Sequence, residues 1–151
     1  MANLLRHESR LTPMQASACR EDVGLRLIHR YRQLGAVLTF DDMVGAMRED
    51  LEQPISRLAR KIVERRIVSI PWKSRTYLPA FQFEQASCDV LQTVEVILEE
   101  LTPAFDDYAL AEWFATSNGW LQCRIPSSLV VKEPGVVLRA ARADRYIATG
   151  W

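Results

Sequence analysis

The sequence predicts a mainly α fold with one small β-hairpin near its middle, and three observations carry that prediction. Apolar residues recur at three- and four-residue spacing in six separate stretches, the pattern of helices that bury one face. Only the interval 67–78 is β-prone on both sides of a short polar turn. Hydrophobic residues make up 48% of the 151 and charged residues 25%, proportions that allow a packed core and argue against disorder away from the ends.

The elements follow in chain order. Thr12 can cap a first helix with Pro13 at its first position, where no backbone donor is needed. Leu27, Ile28, Tyr31 and Leu34 form its stripe, and Gly35 stops it. Thr39 caps a second helix, with Asp41 and Asp42 in the first turn where the helix dipole favours anions. Phe40, Met43, Val44 and Met47 are its buried side. The stretch 49–53 reads as a turn before Pro54 opens a third helix over 54–66, with Ile55, Leu58, Ala59 and Ile62 on one side and Arg57, Arg60, Lys61 and Glu64 towards the other.

Ile67-Val68-Ser69-Ile70 and Arg75-Thr76-Tyr77-Leu78 then flank Pro71-Trp72-Lys73-Ser74, a hairpin in which Pro71 demands an edge or irregular position. Residues 78–83 read as an extended linker. Ser87 or Asp89 can cap a fourth helix with the stripe Leu91, Val94, Ile97, Leu98 and Leu101, stopped by Pro103. A fifth covers 105–116, Ile125-Pro126-Ser127-Ser128-Leu129 makes a turn, and a last helix runs over 134–146.

Composition excludes several classes. No run approaches the roughly 18 apolar residues that span a bilayer, and the first residues carry no apolar core of signal-peptide length. A cytoplasmic protein with no membrane partner is expected. Cys19, Cys88 and Cys123 are odd in number and far apart, so they are expected to be free, buried thiols rather than a disulfide framework or a metal site. There is no glycine-rich phosphate loop, no HExxH, no GxSxG and no acid pair supported by a histidine. The adjacent pairs Asp41-Asp42 and Asp106-Asp107 diverge on a helix. The expectation is a binding protein, not an enzyme, with no cofactor and no metal.

Charge is the most informative feature. The net charge is zero, yet 57–75 holds seven positive residues against Glu64 alone, a net +6, while 84–112 holds eight acids and no Lys or Arg, a net −8. Two surfaces with different partners are expected, and the domain division 1–83 and 84–151 follows this shift. Helix, turn, basic helix and hairpin in succession make a helix-turn-helix arrangement with an appended wing. Such a helix fits the major groove of double-stranded DNA, with polar residues near its start reading base edges and long cationic side chains reaching phosphates. Gln53 and Ser56 are the candidate base contacts. Arg57, Arg60 and Lys61 suit bases or backbone, and Arg65, Arg66, Lys73 and Arg75 suit the backbone. The competing account is a solvated basic face.

The second half resembles a known family. Tyr77-Leu78-Pro79-Ala80-Phe81-Gln82-Phe83 resembles the segment preceding the toxin-binding domain of Xre/MbcA/ParS-type antitoxins. The stretch from Ala111-Glu112-Trp113-Phe114 to Ser117-Asn118-Gly119-Trp120-Leu121 is similar to that domain's helix and Asn-containing turn. Pro126-Ser127-Ser128-Leu129 matches its Pro-x-x-Leu turn, and Val136-Val137-Leu138-Arg139-Ala140-Ala141-Arg142-Ala143 its closing helix. Gln122-Cys123-Arg124 departs from the pattern, standing where the family has small, glycine-rich residues. The resemblance implies an antitoxin that binds operator DNA to repress its own operon and neutralises a RES-type toxin with its C-terminal end. The candidate toxin contacts are Trp113, Asn118, Trp120, Leu121, Arg142, Tyr146 and Trp151, with Trp113 and Trp120 open to a core reading as well. Arg139, Arg142 and Arg145 are expected to form a cationic stripe. A homodimer is expected because helix-turn-helix proteins pair to read two half-sites. The alternative reading is a DNA-binding transcriptional regulator with no toxin partner.

Overall fold

A computed structural model describes residues 12–47 and 52–150. The predicted turn residues 49–51 and the predicted partner contact Trp151 lie outside the described residues. The described chain is mainly helical with a three-stranded antiparallel sheet, in the order α1 (Pro13–Leu34), β1 (Val37–Thr39), α2 (Phe40–Met47), α3 (Pro54–Val63), β2 (Ile70–Trp72), β3 (Arg75–Pro79), α4 (Gln92–Leu101), α5 (Asp107–Ala115) and α6 (Pro134–Thr149). Among the described residues no helix is long and apolar enough to cross a membrane.

Local chemistry sets the helix starts. Thr12 and Gln15 form a reciprocal capping box ahead of Pro13. Thr39 Oγ1 accepts from the Asp42 N–H at 3.1 Å while Asp42 Oδ2 accepts from the Thr39 N–H at 3.0 Å, a second such box at the start of α2. Asp106 caps α5 through the Ala109 N–H at 2.8 Å. Neither Ser87 nor Asp89 caps α4. That helix starts three residues after Asp89, and Ser87 instead accepts from the Asp89 N–H in the preceding turn.

The strand order is β1-β3-β2, with Leu38 opposite Leu78 and Pro71 opposite Thr76. Pro71 therefore sits on an edge strand, where its missing donor costs no ladder bond. The hairpin turns through Lys73-Ser74, with Lys73 in the left-handed region at φ 53°. β1 was not expected, since three residues are too few to show a strand period. The segment expected to be a linker is no linker: 78–79 complete β3, and Ala80–Gln82 form a 3-10 turn. Its Gln82 is wholly buried, accepting from the Val68 N–H at 2.7 Å and donating to the carbonyls of Val68 and Pro79.

Two cores form. The smaller joins Met43, Val44 and Met47 of α2 to Leu58 of α3, with Ile67, Leu78 and Phe83. The larger joins Leu27, Ile28 and Tyr31 of α1 to α4, α5 and α6 through Val94, Ile97, Leu98, Leu110, Phe114, Val137 and Ala141. Packing thus crosses position 83. The buried Tyr31 hydroxyl donates to the Ala111 carbonyl at 2.6 Å, and Phe81 lies between Tyr31 and Phe114. At Gly24 an added Cβ would come within 3.0 Å of Trp72, so the absent side chain lets α1 lie against the hairpin.

Candidate nucleic-acid and protein interfaces

The basic segment divides in two. Gln53, Ser56, Arg57 and Arg60 are exposed on α3 or at its start, and Lys73 and Arg75 are exposed at the hairpin. Among the described residues none of these four cations forms an ion pair. Lys73 Nζ stands 4.7 Å over the Trp72 ring at the hairpin tip. Gln53 opens the helix in the left-handed region, φ 56°, with its side chain making no cap. Val63, 81% exposed, continues the outer face of α3 that bears Ser56 and Arg60. Ile55, expected on the buried side, is 53% exposed, because it lies in the first turn of α3, ahead of the buried Leu58.

The other three cations are engaged within the molecule. Lys61 Nζ lies 2.7 Å from Glu95 Oε1, and Arg66 reaches the same carboxylate at 3.3 Å. Arg65 donates to Asp107 Oδ1 at 2.8 Å, to the Thr102 carbonyl at 3.1 Å and to the Phe105 carbonyl. The expected separation into a basic and an acidic surface is thereby corrected. At this seam the blocks neutralise each other, since α4 and the start of α5 pack beside the end of α3.

A second cluster centres on Asp144. Its Oδ2 accepts from Trp113 Nε1 and Asn118 Nδ2, both at 2.7 Å, and its Oδ1 from Trp120 Nε1 at 3.0 Å. Three of the seven expected toxin contacts thus meet on one carboxylate. Asp144 itself was missed, though its place was visible: it continues the stripe Val137, Ala140, Ala141 of α6, where an acid needs donors. Trp113 is half-buried and packs edge-on to Phe114, whereas Trp120 is 58% exposed. Beyond Asp144 the same stripe continues as Ile147, 68% exposed, and Ala148, also exposed; Tyr146 nearby is 62% exposed.

Three other expectations need correction. Leu121 is wholly buried in the larger core and has no surface to offer a partner. The cationic stripe on α6 is largely neutralised, because Arg142 and Arg145 both pair with Glu100, at 2.9 and 2.8 Å. The cysteines are free but not buried: Cys19 lies on the exposed first half of α1 and Cys123 in an exposed turn, while Cys88 is half-buried. The left-handed positions of that exposed turn are not glycine. Gln122 and Cys123 both take left-handed backbones, φ 57° and 60°, and the Asn118 N–H donates to the Arg124 carbonyl across it.

Among the described residues no three His, Cys, Asp or Glu side chains gather as a metal ion would require. No family model, curated protein or solved structure matches the chain.

Proposed function

We propose that the chain binds double-stranded DNA, with α3 in the major groove and the β2–β3 hairpin beside the backbone. One observation carries this reading. The order α1-β1-α2-α3-β2-β3 with strands arranged β1-β3-β2 is compatible with a winged helix-turn-helix, and Arg57, Arg60, Lys73 and Arg75 lie unpaired among the described residues on α3 and the hairpin. Gln53, Ser56 and Val63 supply polar and apolar groups to the same helix face, suited to base edges and thymine methyls. The test is anisotropy titration of a duplex from upstream of the gene over a salt series. Arg57→Ala with Arg60→Ala is expected to weaken binding and to lower the slope of log affinity against log salt by about 2, one counterion-release step per lost phosphate contact. An unchanged slope would sink this reading.

The fuller reading is an antitoxin that represses its own operon as a homodimer and neutralises a RES-type toxin. It rests on the family resemblance of the second half, and the Asp144 cluster favours it. An exposed tryptophan held in one orientation by its indole N–H is the kind of rigid aromatic anchor that dominates protein interfaces. Deleting 146–151 is expected to abolish protection against a co-expressed toxin from the neighbouring reading frame while leaving DNA affinity intact. Full protection by the truncated chain would show that the tail does not carry neutralisation, whereas no protection by the full chain would favour the alternative, a transcriptional regulator without a toxin partner.

A further inference from the structure

We infer that Arg65 is a positioning residue for the DNA-reading helix and not one of its phosphate contacts, an inference that rests on the DNA-binding reading above. The backbone supplies the first observation. α3 closes in a Schellman arrangement: the Arg66 N–H donates to the Lys61 carbonyl at 2.9 Å and the Arg65 N–H to the Ile62 carbonyl at 3.0 Å. The residue at the left-handed position of that motif is normally glycine, which has no Cβ to clash. Here it is Arg65, at φ 56°. A side chain held in a costly backbone conformation points to a use for that side chain.

The guanidinium supplies the second. Each of its three nitrogens is engaged within the molecule: Nε with Asp107, and the two terminal nitrogens with the carbonyls of Thr102 and Phe105. Those two carbonyls belong to the turn between α4 and α5, so one planar fork grips the end of one helix and the first residue of the next. Lys61 and Arg66 hold Glu95 one helix away. The buried side chain of α3, Leu58, belongs to the smaller core, whereas α4 and α5 belong to the larger. The polar bracket therefore fastens the reading helix directly to the C-terminal helices, and it fixes the angle at which Ser56, Arg57 and Arg60 are presented.

A salt titration of the full chain with a mixed-sequence DNA duplex separates positioning from contact. Arg65→Met and Arg65→Lys are expected to weaken binding alike, by roughly five-fold, with the salt slope unchanged. Lysine keeps the charge but cannot offer the planar fork. Asp107→Asn, at an exposed carboxylate, is expected to weaken binding in the same direction with the same slope, and it carries the test should Arg65→Met unfold. Two results would overturn the inference. One is wild-type affinity for Arg65→Lys together with a slope shallower by about 0.9 for Arg65→Met. The other is tighter binding with a steeper slope for Asp107→Asn, as a released phosphate contact would produce. A wild-type chain with no salt-dependent DNA binding removes the DNA reading and this inference together. Failure of the inference alone requires a wild type that binds.

Discussion

Two successive residues at 122–123 turn the backbone left-handed without glycine, at a cost of roughly 1–2 kcal/mol each from the crowding of Cβ against the carbonyl. The turn is nevertheless closed, by the Cys123 N–H on the Asn118 carbonyl and by the Asn118–Arg124 bridge, and it delivers Asn118 and Trp120 to Asp144. Cys123→Gly relieves the crowding but adds freedom to the unfolded chain, a loss of roughly 0.5–1 kcal/mol. A net gain of about 0.5 kcal/mol is expected in urea denaturation. A loss of stability would mean that the exposed Cys123 side chain makes a contact worth more than its backbone strain.

Element by element, the sequence was legible where one helix face alone decides the outcome. The stripe Val94, Ile97, Leu98, Leu101 is buried as periodicity requires, and Thr12 and Thr39 stand at helix starts, where short oxygen-bearing side chains satisfy free N–H groups. It was illegible where partners lie far along the chain. Nothing local ties Arg65 to Asp107 or Lys61 to Glu95, and nothing in 78–83 announces that Gln82 stitches Val68 to the sheet.

The α2 start offers a pH test of its cap. Asp42's carboxyl is held below its ordinary range, first by the Thr39 side chain, then by the Thr39 N–H, with Arg75 adding a smaller pull. A group whose pKa is lower when folded contributes stability above its unfolded value of about 4, and that contribution disappears as pH falls through the folded value. Asp42→Asn is therefore expected to be less stable than wild type at pH 7, by a gap that narrows as pH falls below about 4, in parallel urea melts. A gap that persists in acid would assign the effect to something other than the ionised cap.

Across the whole molecule, the burial of Leu27, Ile28 and Tyr31 decides how the two halves behave. These α1 residues precede α2, α3 and the hairpin in the chain, yet they pack with α4, α5 and α6, and Tyr31 donates to α5. The smaller core under α2 and α3 is tied to this mass by Gln82, by Gly24 against Trp72 and by the Arg65 bracket. The Tyr31 hydrogen bond and the Arg65 bracket span the charge boundary near position 83, so the halves share one set of supports. Ile28→Ala removes a wholly buried side chain from the larger core and is expected to cost about 2–5 kcal/mol. The loss should appear equally in both halves. Far-UV circular dichroism, tryptophan emission from Trp113 and Trp120 in a Trp72→Phe, Trp151→Phe background, and the temperature at which the proposed DNA binding is lost should all shift down together in one transition. A DNA-binding signal that holds its midpoint while the tryptophan signal moves would show that α2, α3 and the hairpin stand without the C-terminal helices. In that event the bracket at Arg65 would be a surface contact between independent units.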